Sequence, residues 1–135
     1  MFPTHGLGWF AAIAVLPLLS GCDVTKTQFQ NTAGGAGGEL AAAATTLQYV
    51  HEGRLNRAYA SSAFASYRDA LLVTEKQLPS VPGAPDAATI AELLKLYRPA
   101  YTAVEDPCLD DSCDWRAQVD ALKKASEALV NAADQ

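Results

Sequence analysis

The stretch DAATIAELLKLYRPAYTAV, residues 86–104, decides the fold of this chain. Its larger apolar residues recur at intervals of three and four, the spacing that places side chains on one face of an α-helix. Asp86 stands before the first of them and is suited to cap the helix N-terminus. Pro99 removes one backbone donor, so we expect a bend near residues 95–98. The apolar face consists of Ile90, Leu93, Leu94, Tyr97, Tyr101 and Val104.

Helical patterns also lie on both sides of this stretch. A last helix is predicted to begin around Asp114 or Trp115, with Trp115, Val119, Leu122, Leu129 and Ala133 on one face. Residues 39–78 contain no proline and a single glycine, Gly53, so they are predicted to be helical. The apolar stripes on the two sides of residues 51–58 are out of phase, and we therefore expect a break or kink near Gly53. Residues 79–85, PSVPGAP, must form a connection.

These patterns predict an all-α fold. No region shows the strict alternation of a half-buried strand, and most connections between the helical segments are short. A chain of 135 residues is long enough for one domain with a modest core. We expect a small antiparallel bundle of three to four helices, formed by residues 39–135.

Residues 22–38 are predicted to form a flexible tether ahead of the bundle. The segment ends in Gly34-Gly35-Ala36-Gly37-Gly38, and its other residues are mostly small or polar. Ordering glycine costs conformational entropy, and the segment offers little apolar area in return. A flexible chain of about sixteen residues has a root-mean-square reach of about 20–24 Å, enough to hold a small domain clear of a membrane.

Composition and charge exclude some classes of partner. Ten Lys and Arg residues stand against 15 Asp and Glu residues, so the formal net charge is −5. This balance argues against binding of nucleic acid, or of anionic lipid through surface charge. Half of the chain is hydrophobic by count, but 26 of those residues are alanine. The core is therefore expected to be thin in bulky side chains.

The N-terminal segment has the pattern of a targeting signal. Residues 7–19 carry no charge, and a helix of that length spans about 20 Å, short of the roughly 30 Å of a bilayer core. The alternative of a buried helix within the folded domain is disfavoured by Pro17, which interrupts the run. Residues 1–21 are therefore predicted to be a signal peptide that is removed on export.

The residues after this run, Leu19-Ser20-Gly21-Cys22, resemble the lipobox of bacterial lipoproteins. The resemblance implies that diacylglycerol is attached to the Cys22 sulfur and that the chain is cleaved before this residue. Signal peptides normally begin with a positively charged region, whereas residues 1–6 of this chain hold His5 but no Lys or Arg. Asp23 at the next position resembles a sorting signal for retention in the inner membrane. The implied location is the cell envelope, with the domain facing the periplasm or the exterior.

The other two cysteines, Cys108 and Cys113, are separated by four residues between the last two predicted helices. In an exported chain such a pair predicts a disulfide, and the odd count of three then resolves into one lipid anchor and one pair. A zinc site would need further ligands, for which His51 is the candidate. The neighbouring acidic residues do not have the spacing of an EF-hand. We therefore predict no metal site.

A catalytic site is not predicted either. The sequence holds no phosphate-binding glycine loop, Gly-x-Ser-x-Gly elbow or His-Glu-x-x-His segment. His51 and Glu52 are adjacent, and neighbouring residues of a helix point about 100° apart rather than toward one substrate. The five tyrosines fall mostly at core-like positions, where we expect them to pack with their hydroxyls at the rim: Tyr49, Tyr59, Tyr67, Tyr97 and Tyr101.

The leading functional hypothesis is a non-enzymatic accessory lipoprotein, without cofactor, that sits on the membrane through lipid on Cys22 and binds another envelope protein. Two alternatives remain open. One is a carrier of a small ligand or metal, with a pocket between helices lined by tyrosines and His51. The other is a protective lipoprotein, an immunity or exclusion factor, whose acidic surface neutralises a basic toxin or incoming machine.

Overall fold

The computed structural model describes residues 25–135, which fold into four long helices and one short helix. These are α1 (Gln28–His51), α2 (Arg57–Leu71), α3 (Thr74–Gln77), α4 (Ala87–Glu105) and α5 (Trp115–Ala133). No strand occurs in this part of the chain, which confirms the all-α prediction. Asp86 caps α4 by accepting a hydrogen bond from the Thr89 amide at 2.8 Å, as predicted. Asp114 caps α5 in the same way through the Ala117 amide.

The four long helices form an antiparallel bundle. α1 packs on α2 and α5, and α4 packs on the same two helices, so the four close into a ring. At one end His51 of α1 bonds to the carbonyl of Cys108, beyond α4. At the other end the Phe29 amide donates to the carbonyl of Pro82, in the connection before α4. We call these the disulfide end and the 79–86 end.

The core lies along the axis between the four long helices. Tyr97 of α4 is its largest fully buried side chain, and its hydroxyl donates a hydrogen bond to the carbonyl of Leu71 at 2.9 Å. Leucines of all four long helices surround the axis, and alanines fill the closer approaches. The other fully buried large side chains are Leu40, Leu47, Leu71, Leu78, Leu122, Leu129 and Val104.

The predicted break near Gly53 is confirmed. α1 ends at His51, and Gly53 takes a φ of +73°, a left-handed conformation that favours glycine. Asn56 then caps α2 through the Tyr59 amide. Pro99 lies inside α4, which continues through it to Glu105. The bend near residues 95–98 stays a prediction.

The expected flexible tether over residues 22–38 is wrong for its larger part. Residues 28–38 are the first three turns of α1, and the helix begins with a complete capping box. The Thr27 hydroxyl accepts from the Gln30 amide, and the Gln30 side chain accepts from the Thr27 amide at 2.8 Å. Phe29 and Ala33 of these turns are buried in the core.

Close packing on α5 explains why the glycine-rich segment is ordered. Gly37 is buried, and a Cβ atom at its position would lie 2.8 Å from a methyl of Val130 and 3.1 Å from the backbone oxygen of Ser126. The hydroxyl of Ser126 donates to the carbonyl of Gly37 at 2.7 Å. The missing side chain therefore lets two backbones approach, and the buried contact offsets the entropy that glycine loses.

The folded domain thus begins at about Thr27 rather than at residue 39. The predicted signal peptide 1–21, the lipobox cysteine Cys22 and the sorting residue Asp23 lie outside the described residues. Among the helices of residues 25–135, none has both the length and the apolar composition needed to cross a bilayer.

Candidate functional site

The disulfide end is the candidate site, because it gathers the aromatic, ionisable and cysteine residues singled out from the sequence. It consists of the last turn of α1, the first turn of α2, the connection 106–114 and the first turn of α5. The predicted disulfide is present, with Cys108 and Cys113 joined and their Cα atoms 5.9 Å apart. In the chain-entropy model, so small a ring stabilises the fold by about 2 kcal/mol.

His51 holds the connection 106–114 against the bundle. Its imidazole stacks on the indole of Trp115, with ring centroids 4.3 Å apart and planes within 4° of parallel. Its Nε2 atom lies 2.7 Å from the carbonyl oxygen of Cys108. Because a carbonyl oxygen only accepts, Nε2 carries the hydrogen and donates it. Only 5 % of the side chain is exposed, so His51 is packed into the domain rather than presented to solvent.

Gln118 fixes the same connection from the side of α5. Its side-chain oxygen accepts from the Cys108 amide at 2.7 Å, and its side-chain nitrogen donates to the carbonyl of Asp106 at 3.0 Å. Two backbone groups that the connection would otherwise leave unpaired are thereby satisfied. With His51 and the disulfide, this gives Cys108 three independent attachments.

The connection 106–114 makes the disulfide end acidic on balance, although exposed Arg57 of α2 and Arg116 of α5 lie beside it. Asp110 accepts hydrogen bonds from the hydroxyl and the amide of Ser112, and these bonds hold its pKa below the usual value. Asp111 is almost fully exposed, and its carboxylate lies 3.6 Å from the Nδ1 atom of His51. Residues 105–114 contain five acidic residues and no basic one.

The disulfide and its acidic neighbour Asp110 do not offer a donor set suited to a metal ion. The Sγ atoms of Cys108 and Cys113 and a carboxylate oxygen of Asp110 lie within 4.8 Å of one another. The two sulfurs are bonded to each other, however, and a disulfide lacks the thiolate that binds zinc. His51, the further ligand considered from the sequence, directs Nε2 to a backbone carbonyl.

Glu52 is turned away from the ring contacts of His51. Its carboxylate accepts from the side chain of Gln48 at 3.0 Å and lies 3.6 Å from Arg54. The guanidinium of Arg54 in turn covers the ring of Tyr49 at 4.0 Å. The adjacent pair is therefore divided between two networks, as the angle between neighbouring helical residues predicted.

The groove beside His51 has a volume of about 270 Å³ and contains no tyrosine in its lining. Tyr67 instead bonds to the hydroxyl of Thr46, and Tyr97 is enclosed in the core. Tyr59 lies 60 % exposed on the outside of α2. The groove is lined by Val50, His51, Gly53, Leu55, Asn56, Arg57, Leu109 and Asp111.

The sequence did not indicate two of the contacts at the disulfide end, those of Trp115 and Gln118. Trp115 was placed on the apolar face of the last helix, but nothing in its spacing indicated the stack on His51. Gln118 was not singled out, although its position three residues after Trp115 puts it on the same side of α5. No protein-family model, curated protein or solved structure matches this chain.

Proposed function

We propose that this protein is a lipoprotein of the bacterial envelope, anchored through lipid on Cys22, whose helical domain binds another envelope protein. The observation that carries the proposal is the pairing of Cys108 with Cys113. The chain has three cysteines, so this pairing leaves Cys22 as the one for acylation. A domain built with a disulfide also fits an oxidising compartment outside the cytoplasm, where a lipobox would deliver it.

The disulfide end supports the second half of the proposal, a partner-binding module. Its backbone is held by the disulfide, by His51 and by Gln118, so its surface is presented in one arrangement. Binding to a rigid surface costs less conformational entropy than binding to a mobile one. The exposed carboxylates on that surface favour a partner with basic residues.

Replacing Cys22 with alanine tests the anchor. The variant is expected to keep its N-terminal segment, to incorporate no palmitate analogue during growth and to leave the membrane fraction. A Cys108→Ser/Cys113→Ser double variant is the control, because it keeps Cys22 and should be labelled like the wild type. Labelling of the Cys22→Ala chain, or a wild-type intact mass without acyl groups, would refute the proposal.

Crosslinking in intact membranes tests whether the disulfide end binds a partner. A photoreactive amino acid at Asp111, which is 95 % exposed, is expected to form a discrete crosslinked species in intact membranes. The matched position is Asp69, an exposed aspartate near the opposite end of α2, which should give none. An absence of crosslinks from Asp111 in acylated protein would argue against a partner at this end. A bound small molecule in native mass spectrometry of that protein would favour the carrier alternative instead.

A further inference from the structure

The covalent distance from Cys22 to the folded domain is short. Five residue steps separate Cys22 from Thr27, the cap of α1, and a fully extended chain covers about 17 Å in five steps. α1 itself has 24 residues and a length of about 36 Å. An anchor at Cys22 would therefore hold one end of the bundle closer to the lipid than the bundle is long.

The 79–86 end is the end that the anchor would hold. The Phe29 amide donates to the carbonyl of Pro82 at 3.0 Å. Gly83, with a φ of +87°, lies so close to Thr27 that a Cβ atom there would overlap the threonine side chain. The connection before α4 is thus in direct contact with the first residues of α1, next to the point where the anchor chain arrives.

The surface of the 79–86 end exposes small apolar residues beside Ser80, Asp86 and Thr89. Pro79, Pro82, Ala87 and Ala88 are exposed there. A groove of about 360 Å³ runs from the connection along α4, lined by Pro79, Pro85, Ala87, Ile90, Ala91, Leu94 and Arg98.

Charges of both signs lie at this end, and several are paired with neighbouring groups, although exposed Lys76 is not among those pairs. Lys26 and Asp134 form an ion pair at 3.6 Å. Asp86 accepts from the Thr89 amide as the cap of α4, and this bond holds its pKa below the usual value. Contact with lipid here would bring no unbalanced group of like charges to the headgroups.

We infer that the 79–86 end rests on the lipid surface and that the disulfide end points away from it, an inference that rests on the proposed anchor at Cys22. The charge of the two ends favours this orientation. Residues 105–114 carry five acidic residues, and Arg57 and Arg116 at the same end offset only part of that charge, at the far end of a bundle about 36 Å long. A bundle lying on its side with the connection 106–114 turned toward the lipid would bring these acidic residues within the Debye length, about 8 Å, of anionic headgroups.

The contact does not depend on attraction between the protein and anionic lipid. The acyl chains supply the affinity, since each buried CH₂ contributes about 0.8 kcal/mol. The apolar groups of the 79–86 end then add contact area at the interface, and the carboxylates of the disulfide end set the direction. The orientation leaves the proposed partner surface accessible from the periplasm or the exterior.

Tryptophan fluorescence in vesicles with acyl chains brominated near the headgroup tests the inference. Both test chains carry Trp115→Phe, so each mature chain from Cys22 onward has one tryptophan. One carries Ala88→Trp and the other Ala58→Trp. Ala88 is the second residue of α4 and Ala58 the second residue of α2, both exposed and at opposite ends of the bundle. Each acylated protein is purified from membranes and reconstituted with anionic lipid.

Brominated lipid is expected to reduce the emission of residue 88 by half or more and to leave that of residue 58 unchanged. Equal quenching at both positions, or stronger quenching at residue 58, would overturn the inference. Quenching at neither position, in protein whose mass confirms acylation at Cys22, would also overturn it but would leave the proposed anchor intact. A mass without acyl groups would instead refute the proposed function itself.

Discussion

At the scale of single residues, the hydroxyl of Tyr97 connects two helices inside the core. The residue is fully buried, and its hydroxyl donates to the carbonyl of Leu71 at the end of α2. Burial raises the pKa of Tyr97 to about 12, because ionisation would place a charge in the core. A hydrogen bond with the side chain of Thr74 lowers this pKa in part. Nearby Tyr101, Glu75 and Glu105 act in the same direction as burial.

Tyr97→Phe is expected to destabilise the domain by about 1–2 kcal/mol at neutral pH, since the carbonyl of Leu71 loses its buried donor. The difference should shrink as the pH rises from about 10 toward 12, because a tyrosine in the unfolded chain ionises near pH 10 while folded Tyr97 stays neutral. As the pH rises, the wild type thus loses the part of its free energy of unfolding that comes from Tyr97. The phenylalanine variant has no such part to lose. Urea denaturation across this pH range measures both effects.

Tyr59→Phe is the control for that measurement. Tyr59 is 60 % exposed, so removing its hydroxyl should leave the urea midpoint unchanged at every pH. A gap between wild type and Tyr97→Phe that stays constant up to pH 12 would contradict the assigned role of burial.

At the scale of elements, the most extensive contact between two helices of residues 25–135 is that of α1 with α5. Gly37 permits it, and Gly38 offers a comparison from the next position. A Cβ atom at Gly37 would meet Val130 and the backbone of Ser126, whereas one at Gly38 would have nothing within 4 Å. The two glycines therefore share a helix and differ in their surroundings.

Alanine is expected to change the stability of the domain in opposite directions at these two positions. Gly37→Ala should destabilise by about 1–3 kcal/mol because α1 and α5 must move apart. Gly38→Ala should stabilise by about 0.5–1 kcal/mol, since alanine loses less backbone entropy in an exposed helix. Thermal denaturation of the two variants beside the wild type is the measurement. A flexible segment would tolerate both changes without effect, so equal midpoints for all three chains would count against the α1–α5 contact.

The sequence predicted the elements whose side chains carry a periodic signal. Residues 86–104 became α4, with Asp86 as its cap, and the out-of-phase stripes marked the end of α1 near Gly53. Residues 28–38 gave no such signal, because the order of Gly37 depends on Val130 and Ser126, about ninety positions away. The paired cysteines followed from spacing and compartment, but the stack of His51 on Trp115 required the ends of α1 and α5 to meet.

At the scale of the whole molecule, the first three turns of α1 are part of the core rather than an attachment to it. Phe29, Ala33 and Ala36 are each at most 5 % exposed. Gly34 lies against Ala133 near the end of α5, and the Phe29 amide holds the connection before α4. Removing these turns would uncover one side of α5 and free the connection at the 79–86 end.

A chain of residues 39–135 is therefore expected to lose cooperative folding, while residues 25–135 unfold in one transition. Truncating a buried phenylalanine alone costs about 3–5 kcal/mol, a large share of the 5–15 kcal/mol that stabilises a typical domain. Phe29→Ala in residues 25–135 is the graded variant and should fold with a clearly lower urea midpoint. Circular dichroism during urea denaturation compares the three chains. Equal urea midpoints for residues 39–135 and 25–135 would contradict this expectation and would support a flexible tether over residues 22–38, as the glycine composition predicts.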